Sequence, residues 1–198
     1  MEIDSDALVA AARNGSEAAF RHLVQSHSRK VFQLCWRITR DQTLAEDAAQ
    51  EAFYKAWRGL PEFDGRAGFA TWLHRIAANA ALEQLRRTAR HRDGRQSAYA
   101  EEEDLGHPSS FLDGAGLDGA DCELPTPQDH VAAGALQARV VQELEQMSAM
   151  ERTAFVLKHV EGASLDDIAQ TLSLNIGQSK QAVFRAVRKL RAALVDWR

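Results

Sequence analysis

The chain has 198 residues, 45% apolar and 26% charged, with a formal net charge of −4. This suffices for one medium domain or two small ones of ordinary soluble composition. Cys35 and Cys122 stand far apart with no CxxC, which argues against a disulfide framework or a cysteine zinc site. An acidic start, "MEIDSD", and the lack of an apolar run of membrane-spanning length predict a cytoplasmic protein with no stable membrane insertion.

Both ends of the chain place apolar residues three and four apart, without the alternation or β-branched runs of strands, so both read as helical. The spacing predicts a helix over 4–13, stopped by Asn14-Gly15, and a second from after Ser16 to Thr39. A third is expected over 43–58, after Asp41 and before "GLPEF", and a fourth over 69–92. Residues 96–130 then carry nine acids and no Lys or Arg, with Gly106, Pro108, Gly114, Gly116, Gly119, Pro125 and Pro127 among them. That composition predicts a flexible acidic linker. With −9 in the linker, the rest of the chain carries +5, so the net figure conceals two mildly basic pieces. Beyond the linker, helices are predicted over 128–146, 149–160, 165–172 and 177–195. Ser148 with Glu151 and Ser164 with Asp167 have capping-box spacing at two of these starts. The expected architecture is all-α: two small helical domains, 1–95 and 131–198, joined by the linker 96–130.

Three surfaces suggest function. On the helix over 43–58, Ala45, Ala49, Phe53, Ala56, Trp57 and Leu60 share one side, while Glu46, Asp47, Gln50, Glu51 and Tyr54 share the other. The acids either make a solvated face or orient a basic protein partner. Metal or acid–base chemistry is disfavoured: Glu46 and Asp47 diverge by about 100° on a helix, and no histidine lies at ligand spacing from them. On the next helix, Trp72, Arg75, Asn79, Glu83 and Arg86 fall in one strip beside an apolar face of Leu73, Ile76, Ala77 and Ala80. Arginine for phosphates, an amide for base edges and an aromatic for stacking suit a nucleic-acid strand. The Gly-rich loop from Phe63 to Gly68, with Arg66, suits close approach to an unstacked base. The alternative is an amphipathic face with Trp72 as packing.

The third surface is "SLDDIAQTLSLNIGQSKQAVFRAVRKLRAAL", a short helix, a tight joint and a basic helix, the pattern of a helix-turn-helix. Val183, Ala186, Val187, Leu190 and Leu194 form its inward stripe, with Ser179 in line. Gln178, Gln181, Ala182 and Arg185 are expected to point outward, followed by Arg188 and Lys189. Residues 177–198 hold six basic groups against one acid, suiting either DNA or a solvated face.

In this order and spacing, "AEDAAQEAFYKAW", "FDGRAGFATWLHRIAANAALEQLRR" and "LDDIAQTLSLNIGQSKQAVFRAVRKLR" resemble the RNA polymerase sigma factors of the extracytoplasmic-function (ECF) group. The resemblance covers almost the whole chain outside the linker. It implies that the first domain docks on core RNA polymerase through Glu46, Asp47, Gln50 and Glu51. It also implies that Phe63, Arg66, Trp72, Arg75, Asn79 and Arg86 recognise and open the minus-ten promoter element. The second domain then reads the minus-thirty-five element through Gln178, Lys180, Gln181, Arg185 and Arg188. The linker corresponds to the family's connector into the polymerase cleft. An anti-sigma factor is an expected partner; no cofactor, metal or catalytic residue is. The sequence departs from the family where Ser173 replaces a usual turn glycine, where Ser179 replaces a branched apolar residue, and where "MSAMERTAF" lacks a usual Leu-Pro pair.

Two rivals make distinct predictions. A stand-alone helix-turn-helix regulator leaves the motifs of the first half unexplained. A carboxylate metal hydrolase lacks partners for its acids, because ExxH, HExxH, a P-loop and a nucleophile elbow are all missing.

Overall fold

The computed structural model describes residues 5–92 and 139–194, which are helical with short joints and, among those residues, contain no strand. The expected linker 96–130, Cys122 and the start of the predicted helix over 128–146 lie outside the described residues.

Helix α1 spans Ser5–Arg13 and stops at Gly15, whose φ of +91° is open to glycine. Ser16 caps α2 (Glu17–Thr39) by accepting from the Ala19 N–H. Arg40, at φ 58°, ends that helix, and Asp41 caps α3 (Gln42–Gly59) by accepting from Leu44 N–H at 2.9 Å. A 3₁₀ turn, Leu60–Glu62, follows, and α4 covers Phe69–Arg92.

The core of this half is rich in alanine. Ala45, Ala48, Ala52 and Ala56 on α3 meet Ala77, Ala78, Ala80 and Ala81 on α4, with Leu23, Val31, Leu34 and Ile38 of α2. Small side chains let the three helices approach closely. The buried line on α3 differs from the expected one: Ala48 and Ala52 are fully buried, while Ala49, Phe53 and Trp57 are half-buried. The larger residues cover the flanks instead, as Trp57 does against Phe20 at 4.9 Å between ring centroids.

In the second half, the helical residues from 139 to 146 (α5) lead to α6, Ala149–Phe155, which runs on as a π turn over Val156–Val160. Helix α7 is Leu165–Leu172 and α8 is Ile176–Ala193. Both predicted capping boxes form, and Asn175 with Gln178 makes a third at the start of α8. Ser173 takes the left-handed conformation between α7 and α8, with φ 56° and ψ 41°. Ser179 lies inward and fully buried, beside Ala186 and Leu190. Ala182, expected to face out, is buried, because the tight joint brings the start of α8 down onto α7.

The halves also pack on one another. Helix α6 and its π turn lie on α2, and α7 lies on α4. One apolar cluster contains both first-half residues and Ala154, Val156, Leu157, Ile168, Leu172 and Ala182.

Candidate polymerase and promoter interfaces

On α3, Glu46, Asp47 and Gln50 are exposed. Glu46 accepts from the Gln42 side chain at 3.0 Å, and the partly covered Glu51 pairs with Lys55 at 3.3 Å. Lys55 also bridges to Glu83 of α4 at 3.0 Å, and Glu83 pairs in turn with Arg87. The hydrogen bond to Lys55, followed by that to Arg87, holds the Glu83 carboxyl below its usual range, so this pair stays charged and pins α3 to α4. No group of three or more His, Cys, Asp or Glu side chains among the described residues is placed to hold a metal.

The loop between α3 and α4 is anchored by aromatics. Phe63 is buried, its ring 5.0 Å from Trp72 and 6.1 Å from Phe69, and Phe69 also meets His27 edge-on. Trp72 lies over Gly59, where a Cβ would stand 3.4 Å from the indole. Asp64 accepts from the Arg66 N–H and pairs with its guanidinium at 3.1 Å, leaving the Arg66 side chain 90% exposed. Trp72, Ile76 and Asn79 line a cleft of about 470 Å³ with Lys55, Gly59 and Glu62. Asn79 and Arg86 are exposed and Arg75 is half-buried. Trp72 thus lines the cleft with Phe63 packed against it, whereas the Arg66, Asn79 and Arg86 side chains stay exposed.

On α8, Lys180 and Arg188 are exposed, and Gln181 and Arg185 are partly so. The Gln178 side chain accepts from the Asn175 N–H at 3.0 Å and thereby caps the helix. Lys189 is held by Glu151 at 2.6 Å. Two apolar residues not singled out in the sequence, Ile176 and Phe184, are 52% and 47% exposed. They complete an i, i+4 row of Ile176, Lys180, Phe184 and Arg188 opposite the buried Ser179, Ala186 and Leu190. The fourfold spacing was the available signal.

The Sigma-70 region 2 family model matches residues 23–91, and the Sigma-70 region 4 model matches residues 137–190. The RNA polymerase sigma-H factor of Pseudomonas aeruginosa is 34% identical over 187 residues, covering 94% of this chain and 92% of that protein. The chain belongs to the sigma-70 family of RNA polymerase sigma factors, in the ECF group. The ECF sigma factor SigW of Bacillus subtilis is 30% identical over 194 residues, with 93% of each chain covered. Among solved structures, CnrH in complex with the cytosolic domain of CnrY is similar at 26% identity and a TM-score of 0.59, with 98% of both chains covered. The sigma factor RpoE of Bartonella quintana, solved with the anti-sigma factor NepR, shares the fold at 22% identity and a TM-score of 0.60, over 88% of this chain and 96% of that one. Region 2 thus falls on α2–α4, with the acidic face and the cleft, and region 4 falls on the helices that include α8. No helix among the described residues is long and apolar enough to cross a membrane.

Proposed function

We propose that the chain is a working ECF sigma factor that binds core RNA polymerase and directs promoter recognition, strand opening and transcription initiation. The observation carrying this is the pairing of both sigma regions in one chain with exposed polar groups on each: the α3 acids, Asn79 and Arg86, and the α8 cations. The working division is residues 1–95 for polymerase and the minus-ten element, 96–130 as linker and 131–198 for the minus-thirty-five element. The two family matches lie within the outer pieces and support it.

Glu46, Asp47 and Gln50, with Glu51 at the margin, form the polymerase contact. Exposed carboxylates on a rigid helix steer and orient a basic partner. Arg66, Arg75, Asn79 and Arg86 hold and read the opened minus-ten strand, with Trp72, backed by Phe63, lining the cleft that takes a base. Lys180, Gln181, Arg185 and Arg188 contact the minus-thirty-five duplex, Gln178 presents the helix start, and Phe184 offers an apolar edge to a thymine methyl. The chain does no bond-making of its own here; synthesis belongs to the polymerase, which places the chain in the cytoplasm. A protein antagonist is a further proposed partner, supported by the likeness to CnrH bound by the cytosolic domain of CnrY.

Run-off transcription with purified core polymerase over a promoter library tests the proposal. Transcripts that depend on the added chain are expected. Tight binding of promoter duplex by the chain alone, with no run-off product, would overturn it in favour of a stand-alone regulator.

A further inference from the structure

The sequence pattern places Lys189 with Arg188 among the outward groups of α8, yet its ammonium turns to Glu151 of α6 at 2.6 Å. The two ends of that pair differ: the Lys189 side chain is half exposed, whereas Glu151 is buried. The same Glu151 Oε2 accepts from the Ser148 hydroxyl at 3.1 Å and from the Ser148 N–H at 3.4 Å, within the capping box that starts α6. Burial pushes the Glu151 carboxyl up, but Lys189 and then Ser148 outweigh it and hold the carboxyl below its usual range. A buried carboxylate stripped of its cation is costly, which favours keeping Lys189 in place. Lys189 stands one turn beyond Arg185, on the same flank of α8. Freed, its flexible stem would bring a second cation beside that arginine.

We propose that Glu151 is a positioning residue that withholds Lys189 from duplex DNA and so limits the number of phosphates α8 can neutralise. The proposal rests on the reading of α8 as the minus-thirty-five contact. Lys180, Arg185 and Arg188 then face the duplex as cations, while the charge of Lys189 is neutralised within the protein. A phosphate contact adds affinity at every sequence alike and carries no sequence information. Withholding one therefore weakens the hold on duplex in general, without touching the groups that read base edges. A merely structural role for Glu151 has a different signature: its loss would loosen α8 and blur recognition of the element.

The test is a salt titration of holoenzyme, reconstituted from core polymerase and the full-length chain. Two duplex promoters are compared, one with the minus-thirty-five element intact and one with it scrambled. Glu151→Gln keeps a polar side chain at the cap and frees Lys189. It should bind both duplexes more tightly by a similar factor and leave their affinity ratio unchanged. The slope of log affinity against log salt should steepen by about 0.9, the mark of one added phosphate contact. Adding Lys189→Met to Glu151→Gln should return the slope to the wild-type value. That double variant buries no unpaired charge, so it serves if the single one misfolds, which thermal denaturation detects. A wild-type slope in folded Glu151→Gln, or weaker binding with a smaller affinity ratio, would overturn the proposal and leave Glu151 a packing residue of α6. A double variant with a slope shallower than wild type by about 0.9 would also overturn it, because Lys189 would then already hold a phosphate. A wild-type holoenzyme with equal affinity for both duplexes would overturn the minus-thirty-five reading and the proposal with it; the other outcomes bear on the proposal alone.

Discussion

Ser179 donates its hydroxyl to the Asn175 carbonyl at 3.1 Å while fully buried among the inward residues of α8. The serine thus meets its hydrogen-bonding need by back-bonding one turn earlier. That carbonyl also accepts the Ser179 backbone N–H at 3.0 Å, so it keeps a partner if the hydroxyl goes.

Ser179→Val is therefore expected to stabilise the protein. It replaces a locally satisfied hydroxyl with apolar surface worth about 1 kcal/mol at roughly 25 cal/mol per Å². Thermal denaturation of the full chain should show a rise of about 2–4 °C per kcal/mol for a chain this long. A fall in melting temperature would mean that the packing around the start of α8 has no room for the added methyl.

Ser173 calls for the opposite kind of substitution. It is exposed at φ 56° and ψ 41°, where a Cβ crowds the following carbonyl. Ser173→Gly removes that strain but adds freedom to the unfolded chain, leaving an expected net gain of about 0.5–1 kcal/mol. Urea denaturation measures it through a higher midpoint at unchanged slope. An unchanged or lower midpoint would show that the αL strain is too small to outweigh the entropy.

Glu161, at the end of the π turn, reaches His74 of α4 at 2.8 Å and Arg37 of α2 at 3.6 Å, and makes the contact between the halves sensitive to acid. The hydrogen bond from His74, then the nearby His74, Arg37 and Lys30 charges, outweigh burial and hold its carboxyl below the ordinary 4.5. A depressed native pKa means that the ionised group's stabilisation is full above the unfolded value and lost as pH falls through the native one. The stability difference between wild type and Glu161→Gln should shrink as pH falls below about 4.5. A difference that persists undiminished to pH 3 would remove the charged carboxylate from the account.

Local features were the legible ones. The bounds of α4, the Ser148 and Ser164 capping boxes and the inward place of Ser179 followed from periodicity and cap chemistry, which act within a few residues. The buried line of α3 was misread because periodicity favours the largest apolar side chains, whereas a helix wedged between two others buries its smallest. Ala182 was misplaced for a related reason: the close approach of α7 is a tertiary fact. The contact between the halves was invisible because Arg152 binds the Ile38 and Leu144 carbonyls, and backbone acceptors leave no mark in a residue pattern. In the candidate site, residue types in the strip were readable, but not the split between packed and exposed side chains. That split depends on where Gly59 lets Trp72 settle.

The acidic face gives a functional prediction separable from stability. Asp47 is exposed and Glu46 accepts from the neighbouring Gln42, whereas Glu51 is engaged by Lys55. Asp47→Lys should weaken binding to core polymerase by about tenfold, or 1.4 kcal/mol, with melting unchanged. Glu51→Lys should lower stability as well, because it places a second cation beside Lys55. If Asp47→Lys binds polymerase like wild type in a titration, this face is only solvated.

The division within the minus-ten surface yields a paired test. Phe63 and Trp72 are packed together with Phe69, so alanine at either empties part of an aromatic cluster. Full burial would put the loss at about 3–5 kcal/mol; Phe63 approaches that, while the half-buried Trp72 should lose less. Both variants should melt earlier and open promoters poorly because the cleft wall is lost. Asn79 and Arg86 are exposed and make no packing contribution of that size. Asn79→Ala and Arg86→Ala should keep the wild-type melting temperature within about 1 °C, since exposed substitutions stay within ±0.5 kcal/mol. They should also bind polymerase normally, yet lose permanganate reactivity at the minus-ten element. Normal reactivity in both variants would confine the surface to packing and return Asn79 and Arg86 to an ordinary solvated helix face. Reduced reactivity with an equal fall in melting temperature would also deny them a direct role, since strand opening would then be lost through the fold.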